Sequence, residues 1–472
     1  MIMKFPRSIL IISALVFLGD ADIAMAQEGA VVGKAPLQTI ASEGKAAELQ
    51  AGKVNDSLPV NSQPLTLADC YSKALKQSES IAITGQMIKE AEARFIQALS
   101  IILPHIYFIS THTQEEEPAS VGSSSDSSAL TSLKPTKSSE TRFNFTQDLF
   151  SGFKAFAAIG GAKSDRSQRV NNKVRAEQLL LADVADAFYL VIEMRADYNA
   201  LMKIKYALMS RIIELRGREQ LGRSRPSEVV NAKAQLYGVE SNLELVKSRE
   251  VLARQILEFL LGGTFDDLQD PHDIPLALQP EEYYVSLSDS RPDVISSRYA
   301  WQVAKATTAV INSKFLSDVT LSGNYYTQRT AFDKGTDWDV KLVINVPIFD
   351  GAETVGKSNE ARAKERESEL EYRRKIRKTP YDIKDAYVRY KTAVTVYEAL
   401  RKQYRTAKLN YHLQRKDYRL SLVNNLDVLA SIQTLQDAER SYIHALYEAK
   451  RLYWGLRVAI GEGITENIND II

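Results

Sequence analysis

Two periodicities alternate along this chain of 472 residues. In WDVKLVINVPI, Trp338, Val340, Leu342, Ile344, Val346 and Ile348 fall on one face and Asp339, Lys341, Val343 and Asn345 on the other, the period-two signature of a strand with one apolar side. Phe143, Phe145 and Leu149 stand opposite Glu140, Arg142, Asn144 and Thr146 in the same way, and VTLSGNYYTQ sets Val319, Leu321 and Tyr325 against Thr320, Ser322 and Asn324. About 10 alternating residues suffice for a tilted strand to cross a bilayer. Between these segments the period becomes helical. From Lys154 to Gln220 no proline intervenes, and Leu180, Val184, Phe188, Val191 and Ile192 recur at helical spacing among charged residues. At about 1.5 Å per residue that helix is roughly 100 Å long. A second, from about Thr354 to Arg419, contains Pro380, where a kink or local unwinding is expected.

The chain repeats itself. LFSG at Leu149 to Gly152 matches IFDG at Ile348 to Gly351, and DAF at Asp186 to Phe188 matches DAY at Asp385 to Tyr387, both at an offset of 199, since 351 minus 152 and 385 minus 186 each give 199. Upstream, LPHIYFIS matches LSDVTLSG at an offset of 213, the distance from Pro104 to Ser317. The difference of 14 residues, 213 minus 199, falls in the polar, Ser-rich stretch from Glu115 to Ser139. Each copy reads helix, strand, loop, strand, long helix, turn, helix. The predicted division is a first repeat at 65–262, a Pro-rich linker at 263–290, a second repeat at 291–461 and a tail at 462–472. The first repeat begins at LTLADCYSKALKQ, where Thr66 and Asp69 form a capping-box signature and Cys70 lies on the apolar stripe.

Residues 1–26 have basic Lys4 and Arg7, an apolar run from Ile9 to Leu18 and small residues at Ala24 and Ala26, which predicts a secretory signal peptide. No cysteine follows that cut directly, so no lipid anchor is expected there. Residues 27–64 are polar, lack aromatics and read as a flexible lead-in. Cys70 is the only cysteine, so no internal disulfide can form. Sixty Lys plus Arg balance 59 Asp plus Glu, which disfavours a nucleic-acid partner. No later stretch approaches the roughly 20 apolar residues of a membrane helix, so entry into a membrane must be by strands.

Four strands are too few to close by themselves, and charges stand at matching places in the two copies: Glu140 with Asp339, and Arg142 with Lys341. A barrel shared between chains would turn these four toward a wet lumen and the aliphatic face toward lipid. The bland alternative packs each apolar face on helices in a soluble domain. Enzymatic chemistry finds no support: GGAKS at Gly160 to Ser164 lies inside a helix pattern rather than after a strand, and the histidines lack metal-ligand spacing. Neither cofactor nor metal is expected.

Together these features resemble the TolC family of outer membrane efflux proteins (outer membrane factors). The resemblance spans Leu65 to Gly461. It is carried by LTLADCYSKAL, LPHIYF, the junctions FTQDLFSG and INVPIFDG, RPDV at Arg291 to Val294, and the turn segments LGRSRPSEVVNAKAQL and LSLVNNLDVLASIQTL. It implies a mainly helical fold with four strands per chain, a homotrimer closing one 12-stranded outer membrane barrel, and helices continuing as a tunnel in the periplasm. The implied partners are outer membrane lipid, a periplasmic adaptor and an inner membrane transporter, in an efflux or type I secretion system.

The two turns correspond to the family's periplasmic tip. There the resemblance places a constriction at Asp427, with Glu228 as its counterpart and Tyr418 as a latch whose acceptor is Glu228. Adaptor docking is expected at Leu221, Gly222, Arg223, Leu420, Ser421 and Leu422. Ser421 replaces the family's glycine, and Ala430 stands where some relatives carry a second acid. Asp427 also reads as a helix-capping residue, and the two roles can coexist. The rival for the whole chain is a periplasmic coiled-coil adaptor or scaffold without a membrane barrel.

Overall fold

The structure, a computed structural model, describes residues 64–116, 137–271, 273, 276–330 and 336–463. They belong to one compact unit, Ser62–Ile472. The predicted signal peptide, nearly all of the lead-in and the Ser-rich loop, and most of the C-terminal tail lie outside the described residues.

Each copy starts with helices set by side-chain caps. Helix α1 (Leu67–Gln77) is opened by the Thr66 and Asp69 capping box, and Ser78 both ends α1 and caps α2 (Glu79–Ser100). Cys70 is fully buried on α1, and burial, reinforced by the Asp69 charge, pushes its thiol up to about 12, so it packs as an inert small apolar group. Strands β1 (His105–Gln114) and β2 (Lys137–Ser151) follow, with Lys137 to Ser139 in the ladder rather than in the loop the sequence suggested. Then come α3 (Lys154–Gln220) and α4 (Pro226–Leu261). The linker holds a short α5 (Glu281–Ser286), and the second copy supplies α6 (Pro292–Asn312), β3 (Asp318–Arg329), β4 (Trp338–Asn345), α7 (Glu353–Arg419) and α8 (Asn425–Ala459).

The long helices α3 and α7 each contain 67 residues, and their first and last residues are 199 apart, 154 to 353 and 220 to 419. The first residues of β1 and β3, 105 and 318, are 213 apart. Before each long helix two consecutive residues adopt positive φ: Gly152 at 59° and Phe153 at 64°, then Gly351 at 69° and Ala352 at 67°. At Gly152 a Cβ would meet the Ser313 carbonyl oxygen at 2.5 Å, so that turn admits only glycine.

Helix α7 is helical on both sides of Pro380, without local unwinding at the proline. One expectation needs correction. Strand β4 stops at Asn345, leaving Val346 and Ile348 outside the ladder, since Pro347 cannot donate to it.

The sheet has the order β1-β2-β3-β4, all antiparallel, with β1 and β4 as edges. Register aligns Phe108, Phe143, Tyr325 and Trp338 across one face and Tyr107, Asn144, Asn324 and Asp339 across the other. A register shift at Thr327 lets Arg329 pair with Glu140 on the polar face. Below the sheet the helices pack in the order α2-α3-α6-α7 and, farther along, α4-α3-α8-α7. The α7–α8 seam carries Tyr390, Tyr397, Tyr404, Tyr411 and Tyr418, spaced seven apart; Tyr397 and Tyr404 stack on Tyr442 of α8, and Tyr390 meets Tyr453 of α8 at a tilt.

The RPDV segment is a hub. Arg291 is buried, its Nε bonds the Asp293 carboxylate at 2.6 Å, and its Nη1 caps the Ala459 carbonyl at the end of α8 at 3.2 Å. Lys375 of α7 reaches the same Asp293 at 2.7 Å. Burial alone would raise the Asp293 carboxyl, but the Arg291 and Lys375 bonds outweigh it and hold it well below the usual carboxylate range.

Candidate channel lumen and tip

The polar face of the sheet ties the four predicted lumen residues into two lateral networks. Arg142 is ion-paired with Glu140, and Arg329 reaches Glu140 at 3.5 Å. Asn144 donates to Asn324 at 2.9 Å, Asn324 to Asp339 at 3.2 Å and Tyr326 to Asp339 at 2.8 Å, with Lys341 at 3.7 Å from that carboxylate. The opposite face presents Ile106, Phe108, Trp338, Val340, Leu342 and Ile344, all exposed. A polar face that satisfies its own charges and an apolar face with no partner in the chain are what a strand between water and lipid requires. No helix among the described residues is long and apolar enough to cross a membrane. Nor does any group of His, Cys, Asp or Glu among them gather to hold a metal ion.

At the far ends of the long helices the two turns have one geometry. Arg223 N–H donates to the Arg218 carbonyl at 2.8 Å and Leu422 N–H to the Asp417 carbonyl at 2.9 Å, equivalent closures. Gly222 has φ of 67° and Ser421 of 61°, so the serine occupies a conformation suited to glycine at a cost of about 1 kcal/mol. Leu221, Leu420 and Leu422 are exposed there, as are Gly222, Arg223 and Ser421.

The acids sit three residues beyond each cap. Asp427 completes a capping box in which its N–H donates to the Asn424 side chain and its carboxylate accepts from the Asn424 N–H, both at 3.0 Å, while its side chain stays exposed. Glu228 is half-buried and takes a hydrogen bond from the Ser224 hydroxyl. Within the chain Tyr418 does not bond Glu228. Its ring is buried beneath two guanidinium groups, Arg211 at 3.5 Å and Arg218 at 4.3 Å from the ring centre.

Arg211 is the residue that reading the sequence missed. It is 4% exposed, its Nε donates to Asn425 at 2.9 Å and its Nη1 to Glu214 at 3.0 Å, so one side chain on α3 grips the end of α7 and the start of α8. The available signal was its place in the stripe Leu201, Ile204, Leu208, Arg211, Leu215, an arginine in a slot otherwise apolar.

Residues 284–462 match the family model described as outer membrane efflux protein. The chain is similar to outer membrane protein TolC of Vibrio cholerae, 19% identical over 345 residues, covering 70% of this chain and 78% of the relative. Among solved structures, the outer membrane protein VceC of Vibrio cholerae superposes with a TM-score of 0.74 at 22% identity, covering 84% of this chain and 97% of that one. The Campylobacter jejuni CmeC outer membrane channel does so with 0.71 at 16% identity, covering 92% and 97%. Residues 284–462 thus match the outer membrane efflux protein family, and the chain as a whole has the fold of the TolC-like outer membrane channels.

Proposed function

We propose that the chain forms a homotrimer whose 12 strands close one barrel, serving as the outer membrane conduit of a tripartite efflux or type I secretion system. Channels of this family are passive and not enzymes, so energy would come from an inner membrane transporter coupled through a periplasmic adaptor. The observation that carries the trimer is the sheet with both edges, β1 and β4, unpaired and one face apolar: in a bilayer those backbone groups must be satisfied by another copy. On this reading 65–262 and 291–461 act as pseudo-equivalent halves, and Glu140, Arg142, Asp339 and Lys341 face the lumen.

At the tip, the exposed residues Leu221, Gly222, Arg223, Leu420, Ser421 and Leu422 form the adaptor-docking surface. Asp427 lines the constriction as a ring of three, and the capping box supports that role by fixing its carboxylate at the mouth of the turn. Glu228 lies beside it. Tyr418, held by Arg211 and Arg218, keeps the α7 end closed against its neighbours.

The test is single-channel recording in planar bilayers. Asp427→Asn is expected to weaken block by multivalent cations added on the tip side by about tenfold, the loss of one ion-pair interaction per subunit. Unchanged block would remove Asp427 from the pore. A protein recovered in the soluble periplasmic fraction after a carbonate wash would overturn the conduit reading itself.

A further inference from the structure

The offset of 199 relates contacts as well as residues. Within the chain, Arg175 on α3 donates to the Val458 carbonyl at 2.7 Å and Gln178 to the Gly461 carbonyl, so α3 caps the end of α8. Their counterparts 199 residues away are Arg374 and Arg377 on α7, and Phe259 and Gly262 at the end of α4. The two helix ends are built alike. Gly461 N–H bonds the Val458 carbonyl at 3.2 Å and Gly262 N–H the Phe259 carbonyl at 3.3 Å. Yet Arg374 and Arg377 are exposed, with no hydrogen-bond or ion-pair partner among the described residues, and Phe259 is 83% exposed.

In the order α4-α3-α8-α7, helices α4 and α7 are the outer members, so within one chain they cannot meet as α3 and α8 do. The α3–α8 seam is ionic, with Glu193 held by His444 at 2.8 Å and by Arg451 at 2.6 Å. The corresponding positions on the open sides are Thr392 on α7, and Leu245 and Leu252 on α4, all exposed. Thr392 lines an apolar groove between α7 and α8. An apolar stripe on one edge and an apolar groove on the other, placed by the same repeat, match a second copy of this chain.

We propose that Arg374 and Arg377 of one copy cap the carbonyl end of α4 in the next copy, with Leu245 and Leu252 of that α4 seated against Thr392 in the α7–α8 groove. The cap is incomplete without the partner and rests on the trimer proposed above. It makes the seams of the helical wall chemically unequal: ion pairs inside each chain, apolar contact between chains.

The experiment uses the full chain in detergent, with Leu245→Cys and Thr392→Cys on a Cys70→Ala background, treated with a short bis-maleimide and run denatured. Covalent dimers and trimers are expected, with each single-cysteine control monomeric. A preparation that is trimeric by light scattering but gives only monomer bands would overturn the docking and leave the trimer standing. A monomeric preparation would remove the reading beneath it. For the cap, Arg374→Ala with Arg377→Ala should lower the temperature at which the trimer dissociates by several degrees, against no shift for Arg362→Ala on the same helix. Equal dissociation temperatures would overturn the cap.

Discussion

At the scale of single residues, the tip holds one strained position and one clasp. Ser421 keeps a Cβ where the equivalent turn has Gly222, so Ser421→Gly should stabilise the second turn by about 0.5–1 kcal/mol. Thermal unfolding read by tip proteolysis would show this as slower cleavage, and faster cleavage would mean that chain flexibility dominates. Arg211→Ala acts in the other direction. It removes the plane over Tyr418 and leaves the Asn425 side-chain oxygen buried and unpaired, a loss of about 2–3 kcal/mol. Resting conductance and tip proteolysis should both rise, and Arg211→Lys should restore little, because an ammonium offers no flat face. The residues of this site differ in how far sequence reveals them. The box of Asn424 and Asp427 is local, three residues apart, and readable. The grip of Arg211 on Tyr418 spans 207 residues, and nothing nearby in sequence betrays it.

At the scale of elements, the RPDV hub joins α6, α7 and the end of α8. Asp293 has a folded pKa below its unfolded value, so its contribution to stability is present above about pH 4, the ordinary Asp value, and is lost as pH falls further toward the folded value. Asp293→Asn should therefore melt lower than the parent at pH 7, with the gap narrower at pH 3 and closing only as pH falls to the folded value. Thermal melts at both values check this, and an equal gap at both would show that the carboxylate charge contributes nothing. The equal 67-residue helices were legible because a repeat without breakers between two turn signals leaves few alternatives. The end of β4 was not: alternation continues through Val346 and Ile348, but hydrogen bonding obeys Pro347. The tyrosines from Tyr390 to Tyr418 were visible as a seven-residue period, though the partners they stack on belong to another helix.

At the scale of the whole molecule, function turns on what copies share. The polar face of the sheet carries charges of both signs held in ion pairs; if that face lines the proposed lumen, Lys341→Glu in a trimer changes its charge by six, two for each of three chains. The reversal potential across a salt gradient should then move toward cation selectivity, and an unmoved potential would take Lys341 out of the lumen. Such properties lie beyond one chain's contacts. The sequence shows which faces are apolar and which are charged, whereas which side meets water, lipid or another copy depends on assembly.

The tyrosine seam sets a mechanical condition on any such assembly. A seven-residue spacing falls short of two full turns by about 20°, so the four intervals from Tyr390 to Tyr418 accumulate about 80°. Helix α7 keeps that seam against α8 only by coiling left-handedly around it. Torque and tip position are thereby linked: a slight relaxation of the coil's pitch, spread over many residues and straining none of them, would swing the end bearing Ser421 and Asp427 about the helix axis.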